Sequence, residues 1–159
     1  MITSQNYAVF GQDDQSNNNN FRTIPTNISG ITCDKVEHLV YHNHTKLIIK
    51  IQNETRSIPA GIGIIPNDCI FWLHTHDDSG IIHIESPIKT EFLLDQFLKV
   101  WNIFDNSSFI ADISKNDVEA KNVSMILENG SKIKSDDYKN IILENNAIIT
   151  LDFANKSKD

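Results

Sequence analysis

The sequence predicts a mainly β domain, built as a small sheet, a barrel-like sheet or an α+β fold, with one principal amphipathic helix. Segments that alternate apolar and polar residues recur from residue 32 onward, and turn-forming residues separate them. One segment, near residues 90–102, instead repeats its apolar residues with the period of a helix. The chain has 159 residues, of which 40% are hydrophobic, and this is enough for one domain with a core.

Composition argues against nucleic-acid binding and against a membrane span. The net charge is −7, and the 14 Lys and Arg residues form no basic run. No apolar segment approaches the length of about 18 to 20 residues that a span requires, and the N-terminus lacks the basic start and apolar block of a signal peptide. We therefore expect a soluble chain whose partners are a small-molecule substrate or a metal ion.

The first 30 residues differ in composition from the rest. They are polar and rich in asparagine, with a run of four asparagines at 17–20, and Pro25 and Gly30 interrupt them. Such a segment cannot bury enough apolar surface to offset the entropy of ordering. We expect a disordered or loosely docked arm over 1–30 and a single metal-binding, β-rich domain over 31–155.

A histidine-rich strand follows the arm. His42 and His44 form a His-x-His pair, whose side chains lie on one face of a strand. The apolar residues that come next, Leu47, Ile49 and Ile51, have the opposite parity. This change predicts a bulge or bend near residues 45–47, or else a strand that is buried on both sides.

The segment 69–87, with the sequence CIFWLHTHDDSGIIHIESP, predicts a β-hairpin. The turn-forming cluster at 77–80 separates two alternating runs. His74 and His76 share a face of the first run, and His83 and Glu85 share a face of the second run.

Two registers of this hairpin are compatible with the turn residues. A turn centred on Asp78 and Ser79 places His74 opposite His83. A turn centred on Ser79 and Gly80 places His76 opposite His83 and His74 opposite Glu85. Either register gathers the three imidazoles and the carboxylate on one surface.

The remaining segments are predicted to form scaffold. The loop 60–68, AGIGIIPND, lacks the spacing of a dinucleotide-binding loop. An amphipathic helix is predicted from Thr90, as its N-cap, to about Asn102, because Leu94, Phe97, Leu98 and Trp101 follow helical spacing. From Phe109 to Phe153 we expect strands joined by turns, with a hairpin around Asn129 and Gly130, a turn at 136–139 and a closing strand at 147–153.

The histidine spacing predicts a metal site. Opposed residues of an antiparallel pair have Cβ atoms about 4.5 to 5.5 Å apart, which lets imidazoles converge on one ion at about 2.0 to 2.1 Å. We predict His74, His76 and His83 as ligands. His42 and His44 are predicted as a proton shuttle, as ligands of a second ion, or as further ligands of the first ion. The remaining histidine, His38, is expected to be an ordinary core or surface residue.

The ligand set favours zinc, with copper, iron and nickel as alternatives. Three histidines with one open position are the arrangement that catalytic zinc uses to activate water at neutral pH. Glu85 is then the catalytic carboxylate that orients a ligand or the water, or it completes the coordination itself. The predicted reaction is hydration of a small electrophile, of which CO2 is the simplest. The alternatives are a copper or zinc carrier and a purely structural metal site.

The two cysteines, Cys33 and Cys69, each lie just upstream of a histidine cluster. In an oxidising compartment they would form a disulfide that joins the two histidine strands. Two buried free thiols are the alternative.

The histidine pattern resembles the ligand pattern of α-class carbonic anhydrases, which place His-x-His on one strand and a third histidine on its antiparallel neighbour. The resemblance implies zinc and CO2 hydration, although ligand spacing and surrounding sequence differ from that class. Cys69 and His74 resemble the Cys-x4-His of cupredoxins, but Ser79 stands where an axial methionine is expected. The His-x-His pair also resembles that of cupins, but Ser79 or Gly80 stands where cupins have glutamate.

A longer stretch, from about Cys33 to Trp101, resembles a small family of archaeal and bacterial proteins, many of them exported. The shared features are a cysteine, a His-x-His strand, a Pro-Ala-x-Ile-Gly loop, the WLHTHD and GIIHIESP segments, and a helix that ends in tryptophan. Asp95 departs from that pattern, in which glycine is typical. The resemblance implies an extracytoplasmic, histidine-rich protein and brings no activity with it; a cytoplasmic location is the alternative.

Overall fold

In the part of the chain that the structure describes, the protein folds into two β-sheets and one α-helix, which confirms the predicted mainly β class. The computed structural model describes residues 24–104 and 118–155. The described strands, numbered along the chain, are β1 (Asn27–Ile28), β2 (Ile31–Asp34), β3 (Tyr41–Ile51), β4 (Glu54–Arg56), β5 (Ile64–Ile65), β6 (Cys69–Phe71), β7 (Leu73–His74), β8 (Ile81–Ser86), β9 (Val118–Ile126), β10 (Lys132–Lys134) and β11 (Ala147–Asn155), and the helix is α1 (Leu94–Phe104).

The two sheets differ in size, and in both of them nearly all neighbouring strands pair in the antiparallel direction. The smaller sheet has the order β1-β2-β6-β5, and the larger one has the order β10-β9-β11-β3-β8-β7, with β4 added to β3. Within the described residues, β11 and β3 form the one parallel pair. Both sheets keep open edges in this part of the chain, so the barrel-like alternative does not apply.

Strand β3 is the centre of the larger sheet. It pairs with β8 over residues 41–46 and with β11 over residues 45–51, and neither register shifts. The expected bulge near residues 45–47 is therefore wrong. The pattern is a plain alternation: Leu47, Ile49 and Ile51 face the core, and the even-numbered positions, which include His42 and His44, share the opposite face.

One residue, Trp72, carries the chain from the smaller sheet into the larger one. Its backbone N–H donates to the Thr32 carbonyl oxygen in the smaller sheet at 3.2 Å, and its own carbonyl oxygen accepts from the Glu85 N–H in the larger sheet at 2.8 Å. Strand β7 therefore begins at the edge of the larger sheet, directly beside β8. This crossing delivers His74 to the histidine-bearing face.

The two cysteines are joined by a disulfide, Cys33–Cys69, with Cα atoms 5.4 Å apart. The bond lies within the smaller sheet, between the paired strands β2 and β6. The expectation that it would join the two histidine strands is wrong, because those strands, β3 and β7, belong to the larger sheet. The disulfide instead fixes the strand from which the chain crosses to His74.

The helix begins later than its sequence predicts. It runs from Leu94 to Phe104, and the predicted cap at Thr90 lies outside it. The residues just before the helix pair with a distant segment: the Leu94 N–H donates to the Ile141 carbonyl and the Leu143 N–H donates to the Phe92 carbonyl, each at 2.8 Å. This pairing holds residues 92 and 93 extended and delays the start of the helix to Leu94. The predicted apolar stripe is buried, as the amphipathic spacing indicates.

The folded domain includes residues that were assigned to the N-terminal arm. Strand β1 pairs with β2, and Ile24 and Ile28 are buried in the core. The prediction of a disordered or loosely docked arm is thus wrong for residues 24–30. Two isoleucines in this short segment bury apolar surface, although the average composition of residues 1–30 is polar. The rest of the predicted arm, 1–23, lies outside the described residues.

The C-terminal region contains the predicted hairpin and closing strand. Strands β9 and β10 pair around Asn129 and Gly130, and β11 closes the sheet between β9 and β3. The predicted turn at 136–139 contains a short 3₁₀ helix, Tyr138–Asn140. The predicted start of this region at Phe109 lies outside the described residues. Among the residues that are described, no helix has the length and apolarity to cross a membrane.

We predict that the disulfide stabilises the fold substantially. It closes a loop with a sequence separation of 36 residues, and the chain-entropy estimate for a loop of this size is about 3 to 4 kcal/mol. Adding a thiol reductant should lower the free energy of unfolding, measured by urea denaturation, by about that amount. The double variant Cys33→Ser with Cys69→Ser should show the lower stability with or without reductant. Identical wild-type curves in the two conditions would contradict the prediction.

Candidate metal centre

Three neighbouring strands bring histidines into one row. In the register of the larger sheet, His44 of β3 lies opposite His83 of β8, and His83 lies opposite His74 of β7. The hairpin therefore adopts the first of its two predicted registers, with the turn centred on Asp78 and Ser79. Glu85, two residues from His83, lies opposite His42. The row forms because side chains at opposed positions point to the same face of a sheet.

Two overlapping groups of side chains in the described residues are arranged so that they could hold a metal ion. The first group is His74, His76, His83 and Glu85, and the second is His42, His44 and His83. Within each group, one ligand atom from every residue lies within 4.8 Å of those of the others. The structure thus brings together all of the histidines and the carboxylate that the sequence predicts for the site.

His74 is the most firmly held member of the first group. It is fully buried, and its Nδ1 lies 2.8 Å from the Phe71 carbonyl oxygen. Because a carbonyl can only accept, Nδ1 carries the proton and Nε2 keeps its lone pair. That tautomer and that backbone hydrogen bond are what a metal-binding histidine requires.

The distance between His74 and His76 fits a shared ion. Their Nε2 atoms are 3.2 Å apart. Two nitrogens bound to one tetrahedral ion at about 2.0 to 2.1 Å would be separated by about 3.3 to 3.4 Å. The two rings are also nearly perpendicular, at 84°. The pair is therefore already spaced as two ligands of a zinc-type ion would be.

Two buried polar atoms at the centre of the site have no hydrogen-bond partner among the residues that the structure describes. They are Nδ1 of His83 and one carboxylate oxygen, Oε2, of Glu85. The other oxygen, Oε1, lies 3.6 Å from His83 Nδ1 and 4.0 Å from His74 Nε2. Leaving buried polar atoms unsatisfied destabilises the fold. A cation bound among these atoms would satisfy them, so the residues fit a metal ion.

The electrostatics of the cluster favour the neutral form of three of its histidines, His44, His74 and His83. Burial, together with the charge that neighbouring histidines would carry, lowers the pKa of His74 to about 3 and that of His83 to about 4. The pKa of His44 is lowered as well, first by burial and then by His42 and His76. Neutral imidazole is the form that binds metals. These three histidines are therefore ready to bind a cation at neutral pH without first losing protons.

The pKa of the Glu85 carboxyl group is shifted upward, in the opposite direction to the histidine pKa values. Burial raises its pKa above the ordinary value, and the neighbouring Glu37 raises it further, while His42 opposes the shift. His42 Nε2 lies 3.3 Å from Glu85 Oε1. Glu85 is thus a carboxylate in contact with both histidine groups, and a positive charge beside it would favour its ionised form.

Thr75, between the two histidines of the His-Thr-His segment, holds them against the rest of the fold. It is fully buried, and its hydroxyl donates to the Pro59 carbonyl at 2.8 Å and accepts from the Ile62 N–H at 3.1 Å. Its backbone N–H also donates to the Ile62 carbonyl at 3.0 Å. The loop 60–68, which was predicted as a connection near the site, therefore supports it. The sequence did carry one signal: a threonine between the two histidines of a His-x-His pair faces the opposite side of the strand from them, and its hydroxyl needs partners if that side is buried.

Gly63 of the same loop packs directly on the backbone of β7. A Cβ atom added there would lie 2.6 Å from the Leu73 carbonyl oxygen and 3.0 Å from the His74 Cβ. Only glycine allows this approach, and the close contact positions His74. Sequence analysis did not identify this role.

Two further residues near the cluster have defined partners. Glu37, which sequence analysis did not identify, lies 3.7 Å from His76 Nε2. His38 contacts Asp34 through its Nε2 at 2.7 Å, and the same carboxylate oxygen accepts from the Trp72 indole N–H at 2.7 Å. His38 belongs to neither candidate metal group, in agreement with its prediction as an ordinary residue.

We predict that Gly63→Ala weakens metal binding while Gly61→Ala does not. The two glycines have nearly equal positive φ angles, +78° and +77°, but a Cβ at Gly61 would meet nothing within 4 Å. Both variants therefore carry the same backbone strain, and Gly63→Ala alone displaces His74. Its zinc affinity, measured by chelator competition, should fall about 10- to 100-fold, as for other groups that orient ligands. Equal affinities in the two variants would contradict the positioning role.

We also predict that acid destabilises the metal-free protein. An unfolded histidine has a pKa of about 6.5, whereas the folded pKa of His74 is about 3 and that of His83 is about 4. Between these values the unfolded chain binds protons that the folded chain does not, so stability is full above pH about 6.5 and falls below it. Urea denaturation of EDTA-treated protein from pH 7.5 to 4.5 should show this loss. His74→Gln should flatten the curve, and an unchanged slope would refute the assignment.

Comparisons with protein-family models, with curated proteins and with solved structures find no match for this chain.

Proposed function

We propose that this protein is a metalloprotein that uses zinc to activate water for the hydration of a small electrophile, most simply CO2. One observation carries the proposal: one ligand atom each of His74, His76, His83 and Glu85 lies within 4.8 Å of the others. A donor set of three imidazoles, with the Glu85 carboxylate beside the coordination rather than in it, matches the chemistry of catalytic zinc, with copper, iron and nickel as alternatives. Zinc held there would lower the pKa of a bound water to about 7, which makes a nucleophile available at neutral pH.

The burial of the ligands supports a site with one side open to solvent. His74 is fully buried, whereas the side chain of His76 is 44% exposed. Water and a small substrate would thus reach the centre from the side of His76, while the core closes the side of His74. An open coordination position is what separates catalytic zinc sites from structural ones.

The residues of the chain have distinct roles in this proposal. His74, fixed through its Nδ1 to the Phe71 carbonyl, sets the position of the ligand set. Glu85 is the acceptor: its Oε2 is buried without a hydrogen-bond partner, and it orients the reacting water by accepting a hydrogen bond from it. Electrostatic orientation of this kind strengthens where water is partly excluded, as it is around Glu85.

An extracytoplasmic location is part of the proposal. The Cys33–Cys69 disulfide supports it, because disulfides persist in oxidising compartments and are rare in the cytosol.

A metal carrier is the second candidate function, and a specific observation favours it. His42 and His44 adjoin the first group through His83, and they exceed the number of ligands that a single catalytic zinc takes. His42 is also 39% exposed. Surplus, partly exposed ligands are suited to the capture and transfer of ions, for which no substrate site is needed.

We predict that wild-type protein purified without added metal contains stoichiometric metal and hydrates CO2. Elemental analysis and a stopped-flow hydration assay test the two parts. His83→Ala should lose both metal and activity. Glu85→Gln should keep metal when zinc is supplied and lose activity about 10- to 100-fold.

His38→Ala is the matched control, because His38 lies outside both candidate groups, and it should retain metal and activity. If the protein contains stoichiometric metal but does not hydrate CO2, the proposed enzymatic function is wrong and the carrier function remains. If wild type binds no metal under any loading condition, both candidate functions are wrong.

A further inference from the structure

The second histidine group is separate from the first except for one residue. Its members are His42, His44 and His83, whose ligand atoms lie within 4.8 Å of one another. Their rings are in contact: the centroids of His42 and His44 are 4.7 Å apart, and those of His44 and His83 are 4.6 Å apart. We propose that this group binds a second transition-metal ion, and that His83 bridges it to the ion of the first group. The inference rests on metal binding by the first group, as in the proposed function.

The position of His83 in the sheet is what makes it a bridge. It lies on β8, with His44 opposite it on β3 and His74 opposite it on β7. Adjacent strands are about 4.8 Å apart, so the two outer strands lie about 9 to 10 Å from each other on either side of His83. A ligand set that extends over this distance accommodates two ions, one on each side of the central imidazole.

The chemistry of imidazole permits the bridge. The ring has two nitrogens, and the buried Nδ1 of His83 has no hydrogen-bond partner and lies 3.6 Å from Glu85 Oε1. When each nitrogen binds one ion, the ring loses its N–H proton to solvent and becomes an imidazolate anion. The bond lost is N–H, the bond gained is N–metal, and no electron is transferred.

The charges around the two groups favour a pair of cations. The imidazolate of His83 lies between the ions and carries one negative charge. Glu85 Oε1 contacts both groups, at 3.3 Å from His42 Nε2 and 4.0 Å from His74 Nε2. Glu37, 3.7 Å from His76, adds a third negative charge. These charges offset the repulsion between two dications at short range.

Stoichiometry tests the second site directly. Cobalt(II) titrations of the full chain, followed by visible absorption and by calorimetry, should give two equivalents for wild type. His44→Ala should bind one equivalent at the intact first group, and His76→Ala should bind one at the intact second group. His38→Ala, outside both groups, should bind two, and denaturation midpoints establish that each variant is folded.

A copper(II) signal tests the bridge. With two copper(II) ions per chain, coupling through His83 should remove most of the mononuclear electron paramagnetic resonance signal, and His44→Ala should restore the full signal of one ion. Two equivalents without coupling would overturn the bridging role of His83.

If the wild type binds a single equivalent of cobalt(II), the proposal of a second ion is wrong. If His44→Ala leaves that equivalent intact, the proposed function survives. If His44→Ala abolishes it, the chain instead has one site of higher coordination. Zero equivalents would overturn the proposed function as well.

Discussion

The register of three strands is the constraint on which the rest of the site depends. Strands β3, β8 and β7 align His44, His83 and His74 in one row, and a slip of one residue would turn each strand's histidines toward the core. The apolar residues on the opposite face prevent that slip. Ile82 and Ile84 of β8 are fully buried, as is Leu73 of β7, so the hydrophobic core that stabilises the sheet also fixes the histidines.

The core cannot, however, make the cluster stable by itself. Burial of His74 and His83 lowers their pKa values to about 3 and about 4, which keeps the rings uncharged but leaves His83 Nδ1 and Glu85 Oε2 without partners. A sheet selected for stability alone would replace these groups with apolar residues of similar volume. Their presence on β8, beside the edge strand of the larger sheet, therefore fits a cluster that could hold a cation, at a cost in stability.

Local chemistry was predictable from the sequence, and distant pairing was not. The parity of His74 and His76 and the turn residues at 77–80 reduced the hairpin to two registers, one of which forms. For β3 the prediction was a bulge or bend, or else burial on both sides, because the histidine positions and the apolar positions were compared as if they belonged to one face. The late start of α1 depends on pairing between residues 92–94 and 141–143, about fifty residues away, which no local pattern encodes. The hydrogen bonds of Thr75 to Pro59 and Ile62 could not be predicted for the same reason.

Among the ligands that lie on strands, exposure increases from β7 to β3, whereas His76, just beyond β7, is 44% exposed. The gradient along the strands bears on how a metal ion could be bound. His74 is fully buried, the side chain of His83 is 21% exposed and that of His42 is 39% exposed. A buried ligand that is fixed by its own hydrogen bond loses little freedom on binding, whereas an exposed one must be ordered. The group around His74 should therefore bind its ion more tightly than the group around His42. If both groups bind ions as proposed, the residue that they share, His83, would connect the exposed site to the stronger one, so uptake and retention would follow from one row of side chains.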